Sequence, residues 1–269
     1  MYEKWQDVTP RVAAHWLKAN TNNRNLRPNA VAAMVADMLN GRWVTPPVDS
    51  IVFGSDGSLY DGQHRLTAIV KAGVTLRMRV VHDAPPEILP TIDVGKSRTA
   101  GDQLRIQGVT NSARIAAMVR CILSYDRMPG LVWNGQNSFS TPEVVAYTQQ
   151  HQQGLTDAWR IGDGIRREVT LPLTGTAAGV LAYLVRRDST QEADLASTFF
   201  DGLLTGTNLW ADDPRLALRR YTPGSQVRDT HRQQCFLAAA IKAWNGFVED
   251  RPIKGLRWRR EELPMPRVL

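Results

Sequence analysis

Cysteine is nearly absent from this chain of 269 residues: Cys121 and Cys235 stand alone, with no second cysteine or histidine at zinc-ligand spacing. That scarcity excludes a disulfide framework and a structural zinc site, and both thiols read as small buried side chains. No apolar run reaches the roughly 18 residues that a membrane span needs, and the segment Met1 to Asp7 lacks the apolar core of a signal peptide. A cytoplasmic protein with no membrane partner is the expectation. Internal repeats, low-complexity tracts and linkers are also missing. His15, His82, His151 and His231 form no constellation, and there is no Gly-x-Ser-x-Gly elbow, so hydrolytic nucleophile chemistry has no support. Lysine is scarce beside arginine, which leaves the net charge of +7 mainly to guanidinium groups. What is present, a hydrophobic fraction of 43% over this length, excludes disorder and suits one large or two modest globular domains.

The character of the chain changes near residue 110. Before it, Thr9 and Pro10 announce a helix that runs through Val12, Trp16 and Leu17. A second helix starts at Pro28, sets Val31, Met34, Val35, Met38 and Leu39 on one stripe, and stops at Gly41. Ser50 to Phe53, a turn at Ser55 to Ser58, and Leu59-Tyr60 read as a hairpin; a helix follows from Gly62 to Gly73, then a strand from Leu76 to Val81. Both early helices are expected to pack on the sheet. After residue 110, helix signals dominate: Asn111 or Ser112 caps a stripe of Ile115, Met118, Val119, Ile122 and Leu123, and Ser140-Thr141-Pro142-Glu143 opens another helix. Three more are expected around 174–186, 190–204 and 229–248. The fold class predicted is α+β, a small mixed-sheet domain over residues 1–110 followed by a helical domain over residues 111–269.

The densest chemistry lies in Leu59-Tyr60-Asp61-Gly62-Gln63-His64-Arg65-Leu66-Thr67-Ala68. A glycine at a strand-to-helix junction lets a phosphate approach the backbone, where open N–H groups and the helix dipole favour an anion. Arg65 offers a bidentate contact and His64 a further donor, while Asp61 stands where it can orient a metal ion, a ribose or an attacking group. Cations at a helix N-terminus are disfavoured unless something negative binds there, which argues for a ligand over a plain Asp-Gly turn. Downstream, Ile92-Asp93-Val94-Gly95-Lys96-Ser97-Arg98-Thr99 reads either as a surface turn or as a second phosphate loop, with Lys96 and Arg98 as donors and Asp93 holding magnesium through water. It is not a Walker motif.

The stretch Asp61-Gly62-Gln63-His64-Arg65-Leu66-Thr67-Ala68 resembles the GxxRxxA box of the ParB/sulfiredoxin superfamily, in the DGQHR form common in proteins of phages and mobile elements. The resemblance covers roughly residues 8 to 100. It implies a nucleoside triphosphate, CTP or ATP, with magnesium, because ParB proteins hydrolyse CTP on DNA, sulfiredoxins use ATP and a third branch phosphorylates free serine. It also implies a bacterial host cell and a phage or prophage gene. Gln63 stands where sulfiredoxins carry their cysteine and ParB proteins a Glu-Arg-Arg run, so a nucleotide pocket is implied rather than a named reaction. Asn22 to Pro28 is similar to the arginine-bearing box that contacts nucleotide in such folds, which marks Arg27. On this basis Asp61, His64 and Arg65 are the candidate catalytic residues, with Asp61 as base or metal organiser and Arg65 as charge clamp. Gly62, Gln63, Thr67, Arg27, Lys96 and Arg98 bind the nucleotide, and Asp93 the metal.

For nucleic acid, Arg257, Trp258, Arg259 and Arg260 combine phosphate-neutralising cations with an indole able to stack on a base. Paired arginines at 166–167, 186–187 and 219–220 add positive charge near helix ends, where they also suit the helix dipole. The function expected is magnesium-dependent NTP hydrolysis or phosphoryl transfer associated with DNA, with a homodimer as the assembly. A DNA-binding protein whose first domain is only structural, and a ParB-like nuclease, are the alternatives.

Overall fold

A computed structural model describes residues 1–21, 25–45, 49–91, 99–133, 139–168, 175–221 and 229–269. The architecture is mixed α+β and mostly helical, with one four-stranded sheet and eleven α-helices among the described residues. The chain forms two compact units, one of residues 1–98 with 138–143, the other of residues 99–137 with 144–269. No helix of the described residues is long and apolar enough to cross a membrane.

In unit one, β1 (Tyr2–Val8) pairs antiparallel with β4 (Leu76–Ala84), β4 pairs parallel with β2 (Ser50–Gly54), and β2 pairs antiparallel with β3 (Leu59–Asp61). The strand order is β1-β4-β2-β3. One face carries Val8, Ile51, Phe53, Met78 and Val80, which pack with Ala13, Val31, Met38, Leu66 and Ile69 from α1 (Pro10–Trp16), α2 (Pro28–Leu39) and α3 (Gln63–Ala72). The apolar alternation of the strands and the stripe of α2 thus meet in one core. Thr9 caps α1 through its hydroxyl, which accepts the Val12 N–H at 3.2 Å, as the Thr-Pro pair predicts. On the other face Val52, Tyr60 and Ala84 form a smaller cluster with Val81 and Ile88.

Residues 139–143 belong to unit one for a visible reason. Asp37 of α2 is 5% exposed, and its carboxylate accepts the Ser140 hydroxyl at 2.6 Å and the Arg42 Nε–H at 3.0 Å. The Arg42 guanidinium also lies 3.7 Å from Glu143. A buried carboxylate needs such partners, and here one comes from five residues on and the other from about a hundred residues along the chain.

Unit two begins earlier than residue 110, because α4 (Ala100–Ile106) packs on α5 (Ser112–Arg127) so closely that a Cβ on Gly101 would stand 2.9 Å from the Ala113 Cα. The following helices are α6 (Thr141–Gln150), α7 (Gln152–Glu168), α8 (Gly175–Asp188), α9 (Ala193–Thr205), α10 (Pro214–Arg219) and α11 (Asp229–Val248). α8 is the hub: its residues from Gly175 to Val185 are all buried. Its small residues let α7 come close, since a Cβ on Gly162 would lie 2.3 Å from the Gly175 carbonyl oxygen. A buried ion pair fastens α9 to α10. Arg215, 3% exposed, donates to the fully buried Asp213 at 2.7 Å and to the Thr198 and Asn208 carbonyls, each at 3.0 Å.

Candidate functional site

The site predicted at the end of β3 is built around Gly62, which serves as N-cap of α3 with φ 105° and ψ 2°. That φ is strained for any residue with a side chain. The inward space is also taken, because a Cβ there would lie 2.4 Å from Ile51 Cδ1 and 3.3 Å from the Ile51 Cα. Glycine is therefore required by the seating of α3 on β2, independently of any phosphate.

Asp61 and Arg65 form an ion pair four residues apart, at 2.8 Å. The other Asp61 oxygen accepts the Gly62 N–H at 2.6 Å, so both oxygens are engaged. Arg65 also donates to the Ser50 carbonyl at 2.8 Å and pairs with Asp49 at 3.3 Å, while its side chain is only 12% exposed. Its Nε is buried without a partner. In this geometry Arg65 pairs with two carboxylates and braces α3 against β2, and Asp61 is engaged by Arg65 and by the Gly62 N–H. The apparent conflict of a cation at a helix N-terminus is resolved inside the protein, by Asp61 and Asp49.

His64 and Gln63 are buried in the first turn of α3, at 8% and 4% exposure. The His64 Nε2 accepts the backbone N–H of Arg27 at 3.0 Å, which places the ring proton on Nδ1. Nε2, as the acceptor of that bond, cannot also donate to a phosphate, so a donor role for His64 would fall to Nδ1. Gln63 accepts the Asn20 side-chain amide at 3.1 Å. Thr67 turns its hydroxyl back to the Gln63 carbonyl at 2.7 Å, an intrahelical bond. Arg27 is the N-cap of α2 and is exposed. The start of α3 thus gathers the chain just after α1, at Asn20, and the start of α2, at Arg27. α3 itself has no side-chain cap and no acid in its first turn. Asn20, Asp49 and the Ser50 carbonyl were not legible as parts of this site. The Asp61–Arg65 pair was not read either, although its spacing, that of a helical ion pair, is a signal that could have found it.

Lys96, Arg98 and Asp93 lie outside the described residues, as do positions 22–24 of the Asn-rich loop. Among the described residues no group of three or more His, Cys, Asp or Glu is placed to hold a metal ion. With Asp61 and Asp49 both committed to Arg65, the donors at the start of α3 do not fit a resident magnesium ion, and no step is routed through one.

In unit two, Arg257 and Arg259 are exposed, whereas Trp258 is 7% exposed with its indole N–H buried and unpartnered. Burial removes Trp258 as a platform for base stacking. Arg260 opens a short 3₁₀ turn to Glu262. Lys242 donates to the Arg257 carbonyl at 2.9 Å and pairs with Glu262, which fixes this segment on α11.

No protein-family model, curated protein or solved structure matches the chain.

Proposed function

We propose that unit one binds a nucleoside triphosphate, CTP or ATP, with its phosphates at the start of α3, as the resemblance of the Asp61–Ala68 box to the ParB/sulfiredoxin superfamily implies. The observation that carries this is the junction itself: α3 begins on a left-handed glycine, with neither a side-chain cap nor a first-turn acid to occupy its N-terminal end. An anion there gains from the helix dipole. Exposed Arg27 stands at the adjacent start of α2 and supplies the solvent-facing cation that Arg65 does not.

The roles follow from the hydrogen bonds. Gly62 and Arg65 set the angle at which α3 leaves the sheet, Gln63 and His64 lock it to Asn20 and Arg27, and backbone amides with Arg27 receive the phosphates. Binding is better supported than hydrolysis or phosphoryl transfer, because among the described residues no carboxylate at the junction is left as a base. Unit two is the part proposed to meet DNA, since the greater part of the +7 net charge falls there. One observation favours a second reading, a structural first unit in a DNA-binding protein: the internal neutralisation of Arg65 by Asp61 and Asp49.

A thermal-shift panel of CTP, ATP, GTP and UTP, with and without magnesium, tests the proposal on wild type and on Arg27→Ala. At a hundredfold excess over Kd a bound nucleotide stabilises by about 2.7 kcal/mol, which is a shift of several degrees. A shift for at least one nucleotide that shrinks in Arg27→Ala supports binding at α3; no shift with any nucleotide overturns it and leaves the structural reading.

A further inference from the structure

The arginine pairs and the basic segment near the C-terminus have no part in the nucleotide site, yet their charges are not equivalent. Arg219 donates its guanidinium to the carbonyls of Leu203 and Leu204 at the end of α9. Arg251 pairs with Glu249 at 2.9 Å, and Lys242 with Glu262. These three cations are spent on the protein. Arg220 and Lys254 are exposed and make no ion pair or side-chain hydrogen bond with another described residue.

Both unspent cations line one cavity. It has a volume of about 270 Å³, lies between the end of α10 and residues 253–256, and is also lined by Tyr221 and Gly255. The segment is held in place by the Ile253 N–H, which donates to the Asp212 carbonyl at 2.7 Å, just ahead of α10. Tyr221 is 7% exposed, with its ring edge-on to Phe236, and its hydroxyl has no partner among the described residues. Burial, followed by the neighbouring Cys235 and Glu262, pushes the Tyr221 phenol up to about 12, so it keeps its proton and is a donor at neutral pH. Glu262, the acid on this side, is occupied by Lys242 and by the Arg259 N–H. A phenol hydroxyl with no partner among the described residues and two exposed cations with none line one small cavity, and all three are donors.

We infer that this cavity in unit two binds a phosphate group, held between Arg220 and Lys254 with the Tyr221 hydroxyl as third donor. Its volume is below the roughly 300–1,000 Å³ of pockets that enclose a whole small-molecule ligand, so it fits the phosphate of a larger ligand or a small phosphorylated molecule. The two sources are a nucleic-acid backbone and a free phosphate compound. This site is separate from the start of α3, and either can fail without the other.

The test uses the full chain with two probes, inorganic phosphate and a fluorescently labelled 20-base-pair DNA duplex. The variant Arg220→Gln/Lys254→Gln is compared with Arg160→Gln/Arg186→Gln, which removes the same charge from exposed residues of unit two that pair with Asp157. Each charge-assisted hydrogen bond is worth about tenfold or more in affinity, so the first variant, which loses two, is expected to bind about a hundredfold more weakly than the second. Tyr221→Phe is expected to weaken binding severalfold with the melting temperature of unit two unchanged. Loss of the duplex, with or without phosphate, assigns the site to a nucleic-acid backbone; loss of phosphate alone assigns it to a small phosphorylated molecule. If the two double variants bind both probes equally, or wild type binds neither, the inference is overturned.

Discussion

Replacing Gly62 by alanine separates the demands of the fold from those of a ligand. At φ 105° an alanine carries backbone strain of about 1–3 kcal/mol. Its Cβ would stand 2.4 Å from Ile51 Cδ1, and Ile51 is fully buried, so repacking adds about 1–3 kcal/mol. The total for unit one is about 2–6 kcal/mol without any ligand. Gly73 supplies the control: its φ is 68° but a Cβ there would meet nothing within 4 Å, so Gly73→Ala is expected to cost only about 1 kcal/mol. Ile51→Val removes the clashing Cδ1 at a cost of about 0.5–1.5 kcal/mol of its own. In that background Gly62→Ala is expected to recover about 1–2 kcal/mol, the coupling of two groups in contact. Hydrogen exchange at the β2 and α3 amides reports unit one apart from unit two. The reasoning is refuted if Gly62→Ala opens these amides no more than Gly73→Ala, or if Ile51→Val recovers nothing.

Arg65→Ala is expected to destabilise unit one by about 1–3 kcal/mol, because it leaves Asp61 and the Ser50 carbonyl without their donor; an equal loss with and without nucleotide, read by urea midpoint, distinguishes a brace from a phosphate clamp. His82 stacks between Tyr2 and Phe53 with its Nε2 buried and unpartnered, and burial, then Lys4, hold its imidazole below the usual value against a smaller upward pull from Asp83. The folded chain therefore takes up this proton less readily than the unfolded chain, so stability is full above about pH 6.5 and declines as pH falls below it. Urea midpoints at pH 8 and 5.5 are expected to draw closer in His82→Phe, and an unchanged gap would contradict the assignment. Arg215→Ala is expected to cost unit two about 3–5 kcal/mol by stranding the fully buried Asp213, while Arg215→Met with Asp213→Asn recovers most of it; equal losses in the two variants would show that charge is not the cause.

Local signals carried the sequence a long way in unit one. The Thr9-Pro10 cap, the α2 stripe, the hairpin and α3 are all encoded within about a dozen residues each, and they form as read except that Leu39, placed on the α2 stripe, is 62% exposed at the helix end. β1 was not legible: Tyr2 to Val8 shows no apolar alternation, is exposed except at its end, and becomes a strand by pairing with β4 some 70 residues on. The parallel pairing of β2 with β4 is equally non-local. At the site, sequence located the junction but not the partners of its charges. Arg65 looked unpaired because Asp49 and the Ser50 carbonyl reach it only once β2 lies beside α3. Trp258 looked available because a basic neighbourhood says nothing about burial.

The central claim is that a nucleotide's phosphates sit on the first turn of α3. Backbone amide resonances followed by NMR during titration with CTP or ATP test it most directly, with cytidine or adenosine as the phosphate-free control. The expected result is a saturable shift of the Gln63, His64 and Arg27 amides with the triphosphate and none with the nucleoside. Saturable shifts confined to other residues, or no shift of these amides at millimolar triphosphate, would contradict it.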